Sequence, residues 1–438
     1  MNDVKTGTPW IEHESRAAIL AELHARPFVP LEVPRRIYHF AFETNREQAA
    51  ADRAALARLA QDHGAQPPAA DAKFHSFFLG DWRLRWEQHT EFTTYTWGTG
   101  VGAQTPFSHP DPVASGDITF TQPGPLIVAT HLCVIDATAP LQELATLFTS
   151  QSLCVIGVGK EGAHALADFA VDPHGFTRMA IRLSKASPME AGRLAQRLLE
   201  VETYRTMALL GLPLARKVTP EISAMEEELS GITHAISDGQ DSQSNQALLK
   251  RLSDILAASE ALATRTAFRF GASRAYHALV KNRLELLQET KEDDYPTISN
   301  FLSARLGPAI ETCNAVEARQ TRFSTDVART VNLMRTGVTL DMERQNGALL
   351  DDMVRRTRLQ MRLNRMVQGI SAAGLAYYLV GLFAYLADGL TEAGALPASV
   401  SAKMAEAVSV PLAIAISWAF MARVRSMSER AAKEERVD

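Results

Sequence analysis

The rhythm of apolar positions changes about 185 residues into the chain. Before that point, apolar and aromatic residues come in short runs broken by turn formers. After it, proline and glycine become sparse and apolar residues recur every three or four positions. The first rhythm suits strands mixed with short helices, and the second suits long helices. Within the first part, Asn45–His63 (NREQAAADRAALARLAQDH) reads as an amphipathic helix. Phe74–Trp97 is aromatic, rich in Thr and broken at Gly80-Asp81, which predicts paired strands around a turn. Further strands are expected at Pro125–Ile135, Leu153–Val158 and Phe176–Leu183. Residues 1–185 are therefore expected to form an α/β domain.

Long helices follow, over residues 186–366. The first starts near Ser187, breaks at Gly211-Leu212-Pro213 and is expected to restart at Thr219-Pro220-Glu221, with Thr219 as N-cap and Pro220 as first helical residue. The second covers about Gln246–Glu289, beyond the polar turn SDGQDSQSN. A third begins near Thr297, after KEDDYP, and meets no strong breaker after Pro308. Val327, Val331, Met334, Val338, Met342, Leu349 and Met353 step by three and four, a coiled-coil-like seam interrupted by Gln345. A rod from Pro308 to Ala387 would be about 120 Å long at about 1.5 Å per residue. A seam of that length predicts packing on the preceding helices and on copies of the chain, a homo-oligomer.

The rod ends in two uncharged stretches, Val367–Ala387 and the shorter Ala407–Ala422, which contains Pro411. About 20 apolar residues span the hydrocarbon layer as a helix. Arg355, Arg356, Arg358, Arg362 and Arg365 precede the first stretch, and Arg423, Arg425, Arg430 and Lys433 follow the second. The intervening loop is poor in Lys and Arg, so the positive-inside bias predicts a transmembrane hairpin over 367–424 with both chain ends cytoplasmic and a tail over 425–438. The five arginines form a collar at the inner leaflet, where each adds about 1 kcal/mol of attraction to anionic lipid. A buried hairpin of a soluble protein is the alternative. The fold class is thus α+β: an α/β domain, a helical stalk and a two-helix membrane hairpin.

Composition adds limits rather than a function. The net charge is −5 and the basic residues are scattered except beside the hairpin, which points away from nucleic acid. The N-terminus, MNDVKTGTPWIEHESR, has no basic-then-apolar signal region, so the bulk of the chain is expected in the cytoplasm. Cys133, Cys154 and Cys313 are too widely spaced for a zinc pattern or a disulfide framework and suit a reducing compartment.

No Walker loop, dinucleotide fingerprint, nucleophile elbow or HExxH occurs; VIGVGKEGAH (Val155–His164) reads as a turn after a strand. Catalytic residues and cofactors are therefore expected to be none, and a metal is left open. Ten of the twelve histidines lie before Gly175 without a helical ligand spacing. His24, Arg26, Arg85, Glu87, His89 and Glu91 are the candidates for binding a small anion or for acid–base work, because guanidinium matches carboxylate and phosphate and imidazole exchanges protons near neutrality. Arg85, Glu87, His89 and Glu91 alternate and would share one strand face, which is equally the pattern of a solvated stripe. In the first membrane stretch, small residues including Gly374 and Gly381 permit close helix approach, with Tyr377 and Tyr378 beside them. The same helix, with Asp388 at its mouth, would line a cation pore if several copies formed a ring.

ELHARPFVPL (Glu22–Leu31), RWEQHTEFTTYTW (Arg85–Trp97), RLLEVETYRTMALLGLP (Arg197–Pro213), FRFGASRAYHALV (Phe268–Val280) and RRTRLQMRLNRMVQGIS (Arg355–Ser371) together resemble the domain of unknown function 3422 family of bacterial membrane-anchored proteins. The resemblance implies a membrane anchor and a cytoplasmic body, and brings no activity with it. In layout the chain is also similar to the CorA group of divalent-cation channels, with an α/β domain, a stalk and a C-terminal hairpin. It departs from that group at Tyr385-Leu386-Ala387-Asp388-Gly389, where those channels carry Gly-Met-Asn. The expectation is an inner-membrane protein in contact with lipid. It would be either a cation channel gated by its cytoplasmic domain or an anchored binding or scaffolding module.

Overall fold

The computed structural model describes residues 13–16, 19–20, 28–107, 120–159, 162–184, 187–237, 242–393 and 402–434. The chain divides into two compact units, Met1–Asn332 and Leu333–Asp438. In the first, the described residues form one nine-stranded sheet in the order β2-β3-β4-β1-β5-β8-β7-β6-β9. Its strands are β1 (Arg35–Glu43), β2 (Phe74–Leu79), β3 (Trp82–Gln88), β4 (Phe92–Thr99), β5 (Leu126–Asp136), β6 (Cys154–Gly157), β7 (His164–Val171), β8 (Thr177–Leu183) and β9 (Thr290–Lys291). Every pairing is antiparallel except β5 with β8.

Alternation along these strands gives the sheet two apolar faces, and helices cover both. On one face, Tyr38, Phe42, Leu84, Trp86, Tyr95 and Trp97 pack on Leu56 and Ala60 of α1 (Arg46–Asp62). The cap of α1 is built into its sequence: the Asn45 side chain accepts from the Gln48 N–H and the Gln48 side chain accepts from the Asn45 N–H. The same face continues over Cys133, Ile135, Val155 and Leu166, which Leu144 of the short α2 (Leu141–Ala145) covers. Between α1 and the sheet, buried Asp52 accepts from Trp86 Nε1 at 2.8 Å and from the Tyr95 hydroxyl at 2.7 Å. Burial pushes the Asp52 carboxyl up, and those two donors restrain the rise.

Helices α3 (Pro188–Leu209), α5 (Ser242–Leu287) and the start of α6 (Ile298–Glu392) cover the opposite face. Ile37, Val128, Leu132, Val134, Ile156 and Ile181 meet Ala195 and Leu198 of α3, Val280 and Leu284 of α5, and Leu302 and Leu306 of α6. Between α3 and α5 runs α4 (Gly211–Ser237). The expected break at Gly211 is there, but the restart at Thr219 is not, because α4 continues through Pro220. Thr219 turns its hydroxyl back onto Ala215 O at 2.7 Å instead of capping. Val218 and Ile222, on either side of the proline, are buried against Leu262 and Phe270 of α5 and Val316 of α6. That packing outweighs the one hydrogen bond that proline removes.

In the second unit, the remainder of α6 meets α7 (Ala402–Glu434). Ser409, Ala413 and Ser417, four residues apart, are buried in α7, and Ser417 donates to Ala372 O at 2.8 Å. Two helical stretches, one in α6 and one at Ala407–Val424, are long and apolar enough to cross a membrane. Their large side chains point outward, with Tyr377 83%, Tyr385 84% and Trp418 76% exposed, unlike the core of a soluble hairpin. The predicted seam splits in two. Val327, Val331 and Met334 are buried, whereas Met342, Leu349 and Met353 are exposed.

Candidate functional site

Between the sheet and α3 lies a cavity of about 160 Å³, a volume in the range that admits a ring-sized molecule. The sequence makes this room directly. On the α3 side of β4 the side chains run Thr94, Thr96, Gly98, and α3 answers with Gly192 and Ala195. At Gly192 a Cβ would come within 2.0 Å of Val29 O. Here the segment Val29–Leu31 crosses the helix and closes the cavity, tied by the Leu31 N–H to Pro188 O at 2.8 Å.

The polar lining comes from alternate residues of β1 and β3. Arg35, Ile37 and His39 project from β1, and Arg83, Arg85 and Glu87 from β3, with His89 just beyond. The expected common face of Arg85, Glu87 and His89 is present, but α3 covers it, leaving the side chains 13%, 14% and 15% exposed. Glu91 does not share it. Strand β3 ends at Gln88, and Glu91 pairs with Arg269 of α5 outside the cavity lining. His24 and Arg26 lie outside the described residues.

Arg85 Nε donates to Glu87 Oε1 at 2.7 Å, and His89 Nε2 lies 3.7 Å from Glu87 Oε2. Burial pushes the Glu87 carboxyl up, but the His89 contact and the Arg85 charge outweigh it and hold the group at about 2. Glu87 is therefore a carboxylate at any working pH. His39 is the reverse case: burial lowers it to about 4, so it is neutral. Thr203 Oγ1 donates to Leu199 O at 2.8 Å, which leaves it to accept from His39 Nε2–H at 2.9 Å. His39 Nδ1 then accepts from the Thr96 hydroxyl at 2.8 Å.

The balance of charge is positive. Arg85 has Glu87, and Glu200 on α3 is taken by Arg283 of α5. Among the described residues Arg35 reaches only the exposed Glu32, at 3.9 Å. Arg83 touches Ser76 Oγ at 3.4 Å and lies over the Phe78 ring. Burial, then the nearby charges of Arg85 and Arg35, lowers the Arg83 guanidinium below its usual value. Arg35, Arg83 and His39 were not among the sequence candidates. Extending the RLRWEQH alternation back by one step would have reached Arg83, whereas Arg35 and His39 carry no local signal. No three His, Cys, Asp or Glu side chains gather as a metal site among the described residues.

The other candidates lie in the second unit. Gly374 and Gly381 have no side-chain or backbone neighbour within 4 Å of a Cβ position, and Tyr377, Tyr378 and Asp388 are exposed. Arg355, Arg356, Arg358, Arg362 and Arg365 are all exposed on α6, with Arg356 Nε 3.0 Å from Asp352. A family model described as "Protein of unknown function (DUF3422)" matches residues 11–428. The chain belongs to this family. The match takes in both units, so the sheet with its cavity and the two apolar helices are parts of one DUF3422 unit. No curated protein matches the chain.

Proposed function

We propose that the protein is a membrane-anchored binding protein whose sheet unit holds a small anion in the cavity under α3. The supporting observation is the surplus of guanidinium over carboxylate in a covered, partly apolar pocket: among the described residues, Arg35 and Arg83 have no buried counter-ion there. Arginine in such a setting suits a carboxylate or phosphate group. Ile37, Leu199 and Phe92 would receive an apolar body, and the neutral His39 with Thr96 forms a fixed wall. The hairpin of α6 and α7 crosses the bacterial inner membrane twice, both chain ends lie in the cytoplasm, and the collar from Arg355 to Arg365 rests on anionic headgroups. Copies associate through exposed apolar positions of α6 such as Leu340, Leu349 and Met353.

Thermal unfolding of the full-length protein in detergent, with acetate, succinate, citrate and inorganic phosphate against chloride at matched ionic strength, tests the binding reading. At least one anion should raise the midpoint of the parent protein by more than it raises that of Arg83→Gln. A flat response to all four would end it. Cation passage is the second reading, favoured by the exposed Asp388 on α6. Flux through protein in liposomes, with Asp388→Asn as control, tests it.

A further inference from the structure

The two arginines that open β1 point to opposite sides of the sheet, as neighbours on a strand do. Arg35 lines the cavity under α3, whereas Arg36 lies on the α1 side. There it lines a second cleft, of about 380 Å³, with His63, Trp82, Thr99 and the Gly80-Asp81 turn. Only 5% of Arg36 is exposed, and its Nε and Nη1 have no hydrogen-bond partner among the described residues. The Trp82 ring lies 5.4 Å from its Cζ. A ring face offsets only part of the cost of burying a guanidinium.

Thr99 stands directly opposite Arg36 in the β1–β4 register and is equally buried. Its Oγ1 accepts from the Val101 N–H at 3.1 Å, which leaves the hydroxyl hydrogen to donate elsewhere. A buried cation and a buried donor therefore face one cleft from adjacent strands. We propose that this cleft is an oxyanion site, separate from the cavity under α3. It takes a single carboxylate or phosphate group on the Arg36 guanidinium and the Thr99 hydroxyl, beside the Trp82 indole. Asp81, exposed at the rim, opposes the ligand's charge and weakens the site. This site does not depend on the reading of the other cavity.

Phosphate and acetate are titrated separately into the full-length protein in detergent, with chloride at matched ionic strength as reference. The unfolding midpoint and tryptophan emission are followed. The midpoint rises with one or both oxyanions in the parent and in Arg83→Gln, and does not rise when Arg36→Met is added to Arg83→Gln. Which of the two acts identifies the headgroup. Trp82→Phe keeps the midpoint shift and loses the emission change, and Asp81→Asn lowers the half-saturating concentration several-fold. An Arg83→Gln response that adding Arg36→Met leaves unaltered, or an equal response to chloride, overturns the proposal. If Arg36→Met does not fold, Thr99→Val takes its place: about fivefold weaker binding is expected, and no change overturns the site equally.

Discussion

His39 carries the clearest pH consequence in the molecule. Its ring is locked between Thr96 and Thr203 and held at about 4, against an ordinary value of 6.5. An unfolded chain takes up a proton there below pH 6.5 while the folded chain does not until about pH 4. Stability is therefore full above pH 6.5 and drains as pH falls towards 4, by about 3 kcal/mol from this one residue. Denaturant unfolding between pH 7 and pH 4 should show that slope, and His39→Gln should flatten it. An identical slope in the variant would show that other groups set the acid limb. The sequence could not announce this role. His39 sits in RRIYHFAFE, its neutrality comes from burial, and the Thr96 and Thr203 that hold its ring are 57 and 164 residues away. Arg85, Glu87 and His89 were legible as a set because alternation alone aligns them; their burial was not, because α3 supplies it.

At the scale of elements, local pattern was readable wherever one segment suffices. The amphipathic period of α1, the aromatic alternation of β2 to β4 and the capped start of α3 all appear where the residues indicate. Strand β1 (RRIYHFAFE) was not among the expected strands, and three further features resisted for a shared reason, that a partner decides them. Strand β7 (HALADFAV) is rich in alanine and draws its pairing from β6 and β8. Strand β9 is two residues long and exists through β6 alone. Helix α4 ignores Pro220 because its flanks are buried. A further dependency of this kind is the crossing of Val29 over Gly192, which closes the cavity. Gly192→Ala forces its Cβ onto the Val29 carbonyl, and about 1–3 kcal/mol of stability should be lost. Gly231→Ala, on the exposed face of α4 with nothing near its Cβ position, should gain about 0.5–1 kcal/mol. Chemical denaturation of the two variants side by side checks both signs. A Gly192→Ala protein as stable as the parent would mean that the crossing segment moves aside at little cost.

For the whole molecule, the division at Asn332 separates two kinds of surface. Up to that residue α6 buries Leu302, Ile310, Val316, Phe323 and Val327 within its own unit. Beyond it the helix exposes Leu340, Leu349, Met353, Leu359 and Leu363 before the uncharged stretch begins. Apolar positions that no described residue covers call for lipid or another copy, and those that precede the arginine collar lie outside the uncharged stretch. A protein ending at Asn332 should therefore be monomeric in buffer without detergent and keep the anion response of its cavity. The full chain should need detergent and should show, by light scattering, a protein mass of more than one copy. A truncated protein that aggregates, or that loses its response to the anion the full chain binds, would show that the sheet unit depends on the helices of the second unit. A full chain of single-copy mass would leave lipid as the only cover for the exposed face of α6.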